Sequence, residues 1–270
     1  MSYASLQFWF DRWDLRPDGA PFTTPFGSRL APVTKDGKPA MLKIAAHQEE
    51  RNGAQLMRWY DGVGAARVLD LDADALLLER LTGPRSLAAM SRAGDDDAAT
   101  RILCTVAAGL HQPRNKPLPE SLVPMDVWYR RLEPAAVTHG GTFAKSAAAA
   151  RILLGTPQNI VVLHGDFHHD NVLDGGARGW LAIDPKGVLG ERAFEYANLF
   201  RTPSAEIALA PGRMRRQVSI VAEVAGLDRI RLLQWILSYA GLGAAWSLED
   251  GDDAAPGLAI AELAASQLTS

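Results

Sequence analysis

The sequence predicts an α+β fold of two lobes, a small strand-rich lobe over residues 1–81 and a larger helical lobe over residues 82–270. Three observations carry this reading. The first 80 residues alternate short apolar runs with turn dipeptides. Beyond Thr82 the chain becomes alanine-rich with helical periodicity. Within that helical part, a short apolar run at 160–163 and a hairpin-like run at 172–184 frame a dense polar cluster.

The elements follow in order. Residues 1–14 carry aromatics but neither a basic start nor a long apolar core, so they do not read as a signal peptide. Asp18-Gly19 and Asp36-Gly37 are hairpin-type turn signals, and residues 23–28 between them form a loop of small and turn-forming residues. Residues 39–45 make a short apolar strand with a single lysine, Lys43. Residues 49–60 are helical, with Leu56, Met57 and Tyr60 toward one side. Two further strands are expected at 66–69 and 75–80. Asp95-Asp96-Asp97 precedes an apolar periodic run to His111. Acids at a helix start favour the helix dipole, so the triplet reads as capping and not as a metal site. Residues 147–154 form another helix. Residues 232–246 contain Gln234, Ser238 and glycines, and they suit a buried helix better than a membrane span. Two lobes imply a cleft, a preferred place for ligands.

Composition narrows the classes of partner. Hydrophobic residues make up 47%, charged residues 22%, and the net charge is −3, ordinary for a globular protein. No strongly basic face is forced, so no nucleic-acid partner is expected, and no membrane partner either. Arg213, Arg215 and Arg216 read as a solvated helix face. Cys104 is the one cysteine, which excludes a disulfide within the monomer; its apolar neighbours suggest packing. The cytoplasm is the natural compartment, and oligomeric state is not encoded legibly.

The sharpest signal is His164-Gly165-Asp166-Phe167-His168-His169-Asp170-Asn171, which directly follows the apolar run at 160–163. The second is Asp184, followed by Pro185-Lys186-Gly187; a hairpin between Asn171 and Asp184 brings both to one sheet edge. A His-rich cluster with Asp has the ligand types of a zinc hydrolase. That reading leaves Lys43, Asn171 and Asp184 unexplained. Phosphoryl transfer from ATP explains them together, because it needs a carboxylate base, oxygen ligands for Mg2+, and a lysine on the phosphates with an acid partner. Asp166 is then the base, and Asn171 and Asp184 are the magnesium ligands. Lys43 meets the phosphates with Glu50 as its partner, Glu49 being the alternative. A nucleotide-binding regulator without turnover has no need for the full set Asp166, Asn171 and Asp184. His164 reads as a loop-shaping hydrogen-bonding residue, and His168 and His169 as lining the site. Glu249, Asp250, Asp252 and Asp253, with Glu191 and Glu195, either attract a polycationic substrate or form a solvated acidic turn; Trp246 is cleft wall or core. The substrate-side candidates are therefore His168, Glu195, Glu249 and Asp250.

HGDFHHDN with the downstream IDPKG resembles the catalytic segment of antibiotic kinases of the protein-kinase-like fold. LHGDFHHDNVLDGGARGWLAIDPKGVLGERAFEYANLF is similar to the aminoglycoside/hydroxyurea phosphotransferase family, including the streptomycin 6-phosphotransferases. The similarity extends through PAMLKIA, WYDGVGAARVL, LLLERL and GLGAAW, and so over most of the chain. It implies ATP and Mg2+ as cofactors and a small-molecule hydroxyl as acceptor: streptomycin or another cationic aminoglycoside, or hydroxyurea or another metabolite. It also implies a hinge at Glu79 to Leu81 holding adenine, and a loop from Thr24 to Ser28 over the phosphates. The sequence departs from the wider pattern in three places. The loop has no GxGxxG, Glu50 follows Lys43 by only seven residues, and Pro-Lys-Gly replaces Phe-Gly after Asp184. Lys186 lies near phosphate or at the surface.

Overall fold

The computed structural model describes residues 6–269. Its amino-terminal part is built from α1 (Leu6–Trp13), β1 (Arg16–Pro17), β2 (Phe22–Thr23), β3 (Arg29–Lys35), β4 (Lys38–Ile44), α2 (Gln48–Tyr60), β5 (Val68–Asp72) and β6 (Ala75–Glu79). The strands form one antiparallel sheet in the order β1-β3-β4-β6-β5, with β2 also on β3. Side chains alternate across a strand, and β6 shows the result. Ala75 and Leu77 pack with Trp9 and Trp13 of α1, whereas Leu76 and Leu78 pack with Leu56, Met57 and Tyr60 of α2.

Asp36-Gly37 is the expected hairpin turn. Its φ angles of 50° and 73° are both left-handed, as a two-residue turn between Lys35 and Lys38 requires. Asp18-Gly19 is not a hairpin turn. β1 and β2 both pair with β3, so the dipeptide is a break in one edge lane. The strand expected at 66–69 runs from Val68 to Asp72 and is bulged between Val68 and Asp70. Of the segment 1–14, residues 1–5 lie outside the described residues. Leu6–Trp13 is a helix where a strand-rich lobe was expected, because Trp9 and Trp13 fall one turn apart and stack at 4.7 Å between ring centres.

The carboxy-terminal part is mainly helical: α3 (Leu87–Arg92), α4 (Asp96–Leu110), α5 (Met125–Trp128), α6 (Leu132–His139) and α7 (Gly141–Gly155) come first. After five short strands over residues 123–191 follow α8 (Ala205–Ala208), α9 (Arg213–Ala225), α10 (Arg229–Asp250) and α11 (Ala255–Leu268). The middle of α10 is buried on all sides, as expected for a helix apolar all round. Among the described residues no helix is long and apolar enough to cross a membrane. Cys104 is buried in the core.

Five short strands frame the polar segments. β7 (Val123–Pro124) is parallel to β11 (Val188–Glu191), which is antiparallel to β8 (Ile160–Leu163). β9 (Val172–Asp174) and β10 (Trp180–Ala182) form the expected hairpin. Asp96 and Asp97 lie in the first turn of α4, as the helix-dipole reading expects, although the Asp95 side chain makes no cap hydrogen bond. Both also reach another helix: Asp96 accepts from Arg213 Nε at 2.8 Å and Asp97 from Arg216 Nε at 2.8 Å. One charge reading is corrected here. Arg213, expected on a solvated face, has a side chain only 3% exposed, because its pairing with Asp96 docks α9 on α4.

Candidate active site

β8 delivers the chain into the loop at 164–168, and a buried carboxylate fixes it there. Glu195 accepts from the His164 N–H at 2.7 Å, from the Gly165 N–H at 3.0 Å, and pairs with His111 Nε2 at 3.1 Å. Burial alone would raise its pKa; the His111 hydrogen bond and charge, with the other partners, outweigh burial and hold it below the ordinary carboxylate range. The Asp166 N–H donates to His164 Nδ1 at 3.3 Å, so the His164 proton sits on Nε2 and is donated to the Ile183 carbonyl at 2.7 Å. His164 thus ties the Asp166 loop to the segment that ends in Asp184.

Asp166 is held at both oxygens. Asn198 Nδ2 donates to Oδ1 at 3.1 Å, and Asn171 Nδ2 donates to Oδ2 at 3.3 Å and to the Asp166 carbonyl at 2.8 Å. Asn198 lies in a 3-10 helix, Arg192–Phe200. With three residues per turn, side chains three apart stack on one side. Glu195 and Asn198 therefore grip the same loop, one at its backbone and one at its carboxylate.

Asp184 adopts a left-handed backbone with φ 57°, rare for a non-glycine residue and typical of sites held in place by their surroundings. Its Oδ1 lies 2.5 Å from Lys43 Nζ, which reaches Glu50 Oε1 at 3.0 Å. The seven-residue spacing suffices because α2 begins at Gln48 and Glu50 is in its first turn. Burial raises the Glu50 pKa, but hydrogen bonds from Ser28 and Lys43 more than offset this and hold it low. Glu49, the alternative partner, pairs with Lys186 instead, at 3.0 Å. Gly53 lets α2 come this close, since a Cβ there would lie 2.0 Å from the Pro185 carbonyl oxygen.

Two cavities meet at these residues. The first, about 290 Å³, has a mainly apolar lining that includes Met41, Leu78, Leu81, Leu173 and Ile183, with Lys43 and Asn171 at its polar end. The second, about 460 Å³, is lined by Asp166, Lys186, Trp128, Tyr239, Trp246 and Asp250, among others. Both contain Thr24, Glu50 and Asp184. Glu79 and Leu81 border the first cavity. The Glu79 carboxylate is occupied by the Arg67 N–H at 2.7 Å and by Arg178, while the Glu79 N–H donates to the Arg67 carbonyl at 3.0 Å and the Arg80 N–H to the Pro39 carbonyl at 3.2 Å. Nothing among the described residues accepts from the Leu81 N–H.

Three expected residues lie elsewhere. Ser28 is fully buried; its hydroxyl donates to Glu50 and accepts from the Ala46 N–H at 2.9 Å, so it braces Glu50 instead of facing the cleft. Glu195 is buried behind the loop and cannot meet a substrate. Glu249 points away from the cavity to Arg131, at 3.2 Å. Asp250 and Trp246 do border the cavity. His168 Nδ1 accepts from the Asp170 N–H, while its Nε2 lies 3.8 Å from Asp166 Oδ1. His169 is buried against Thr202 at 2.9 Å. The three imidazoles thus have separate partners and do not converge on one point.

Residues 12–251 match the family of aminoglycoside/hydroxyurea antibiotic resistance kinases. This chain belongs to that family. It is 47% identical over 246 residues to a streptomycin 3''-kinase of Klebsiella pneumoniae, covering 89% of this chain and 91% of the relative. It is 33% identical over 259 residues to a streptomycin 6-kinase of Streptomyces glaucescens, covering 90% and 82%. The fold is shared with the aminoglycoside phosphotransferase APH(4)-Ia in its ternary complex with ADP and hygromycin B, at a TM-score of 0.69, 16% identity and 96% coverage of both chains.

In this kinase the donor set suits a hard divalent cation. With both Asn171 Nδ2 bonds directed to Asp166, the Asn171 Oδ1 has no donor among the described residues, and neither has Asp184 Oδ2. Two oxygens, one amide and one carboxylate, match the preference of Mg2+. Asn198 and Tyr239 were not singled out from the sequence. Asn198 lay in view within FEYANLF; its spacing of three from Glu195 is the signal, but it acquires meaning only once that segment is known to be a 3-10 helix.

Proposed function

We propose that this kinase transfers the γ-phosphoryl group of ATP to a hydroxyl of streptomycin, with Asp166 as the base. The observation that carries the reading is the convergence of Lys43, Asn171, Asp184 and Asp166 where the two cavities meet. The apolar cavity takes adenine, with the backbone around Glu79 to Leu81 as the hinge and the lobe boundary near residue 81. Lys43, steadied by Glu50, meets the α- and β-phosphates. Asn171 Oδ1 and Asp184 hold Mg2+, which neutralises phosphate charge when bound. Asp166, held by Asn171 and Asn198, accepts the acceptor's proton from the second cavity.

The second cavity fits a cationic, partly flat acceptor. Trp128 and Trp246 border it with aromatic surface and Asp250 with negative charge, and aromatic faces attract guanidinium and ammonium groups. At about 460 Å³ the cavity has the size of a drug-sized ligand site and is far roomier than a urea-like acceptor needs. The resemblance within the sequence pointed to 6-phosphotransferases. The 47% identity to a 3''-kinase, against 33% to a 6-kinase, favours the 3''-hydroxyl. The cytoplasm, where ATP is present, is the compartment in which this activity makes sense.

The test is incubation of purified protein with ATP, Mg2+ and streptomycin, with the product's phosphate located by NMR. A phosphate on the 3''-oxygen is expected. A 6-phosphate would move the position within the same reaction. No product from protein that binds nucleotide would discard streptomycin as substrate.

A further inference from the structure

Two lysines flank Asp184. Lys43 Nζ lies 2.5 Å from its Oδ1 and borders the first cavity. Lys186, two residues downstream, borders only the second, together with Gly165, Asp166 and Asp184. The Lys186 backbone is anchored, its N–H donating to the His164 carbonyl at 2.7 Å. Its side chain is 21% exposed, and its Nζ reaches Glu49 Oε1, on the other lobe, at 3.0 Å.

The phosphoryl group must cross from Asp184 toward Asp166, between two carboxylates. In the transfer, the bond from Pγ to the β,γ-bridging oxygen breaks and its electron pair leaves with ADP. A bond forms from Pγ to the acceptor oxygen, whose proton passes to Asp166. The negative oxygens on Pγ approach Asp166 as this happens. Lys43 is held on the far side by Glu50 and Asp184. A cation is needed on the acceptor side, and Lys186 is the lysine placed there.

We infer that Lys186 is a second phosphate-contacting lysine, which leaves Glu49 to pair with the γ-phosphoryl group when ATP binds. Glu49 and the γ-phosphoryl then compete for one ammonium, so the interlobe bridge Lys186–Glu49 belongs to the enzyme without ATP. The inference rests on the phosphoryl-transfer reading but not on streptomycin as acceptor.

The test compares affinities of the full-length protein for ADP and for a non-hydrolysable ATP analogue, with Mg2+ and without acceptor. Lys186→Met retains ADP binding and loses on the order of tenfold of the analogue's advantage over ADP, the scale of one charge-assisted hydrogen bond. Glu49→Gln, which frees Lys186, increases that advantage. Opposite shifts distinguish this role from a purely structural bridge, whose loss would move both variants together. An unchanged ratio in Lys186→Met, or a decreased one in Glu49→Gln, overturns the proposal. Failure of the wild-type protein to bind ADP would instead overturn the phosphoryl-transfer reading on which it rests.

Discussion

Asn198 Nδ2 donates to Asp166 Oδ1 at 3.1 Å, from a turn whose other exposed-to-loop side chain, Glu195, holds the backbone just before it. Holding a base within hydrogen-bond reach of its proton is worth orders of magnitude in rate, and small displacements are costly. Asn198→Ala is expected to lower kcat by about ten- to a hundredfold with little change in KM for ATP. Asn198→Asp places a second carboxylate beside the first. Because like charges resist joint ionisation, the acid limb of the pH–rate profile then moves to higher pH. Steady-state kinetics across pH checks both; a KM effect alone would contradict a positioning role.

Glu195 is expected to matter for stability ahead of chemistry. Its removal strands two buried N–H groups and His111. Glu195→Ala should destabilise the fold by about 3–5 kcal/mol, the range for breaking a buried charged pair. Chemical denaturation measures this. The native pKa is depressed, so the contribution is present above the ordinary carboxylate range and is lost as pH falls through the depressed value.

His169 gives a second acid-sensitive element. Burial, with Arg213 nearby, lowers its pKa to about 4. The unfolded chain binds this proton near the ordinary value of about 6.5, so stability rises with pH across that window. Acidification from about pH 6.5 to about 4 should cost up to about 3 kcal/mol from this residue alone. Denaturation curves of wild type and His169→Gln across that range check it. A variant curve as steep as the wild type would contradict the assignment.

Arg213 and Asp96 form a buried pair joined by Gln217, which donates to Asp96 at 2.6 Å. Arg213→Met leaves buried Asp96 with only the half-exposed Arg216, 4.0 Å away, as a cation, and should cost about 3–5 kcal/mol. Adding Asp96→Leu should recover much of that loss, since an apolar replacement of both partners is often neutral. Thermal or chemical denaturation of the single and double variants checks the coupling.

How far this was legible depended on whether a role rests on local spacing or on distant packing. Asp166, Asn171 and Asp184 were legible because one loop and one hairpin bring them together, and a hairpin can be read from alternation and turn residues. Lys43 and Glu50 were legible through strand and helix order, with Glu49 separated from Glu50 only by the direction each takes in the first turn of α2. Ser28, Glu195 and Arg213 were misplaced for one shared reason. A polar side chain in sequence looks solvent-facing, and only a partner far along the chain makes its burial tolerable. α1 was missed because aromatic residues favour strands locally, while Trp9 and Trp13 answer to the sheet face they cover.

The most direct test of the central claim is the rate of streptomycin phosphorylation by Asp166→Asn relative to wild type at saturating ATP. Loss of a general base lowers such a rate by about 10²–10⁴-fold, and that fall is expected here with nucleotide affinity retained. An Asp166→Asn enzyme turning over streptomycin within a few-fold of wild type would contradict the account.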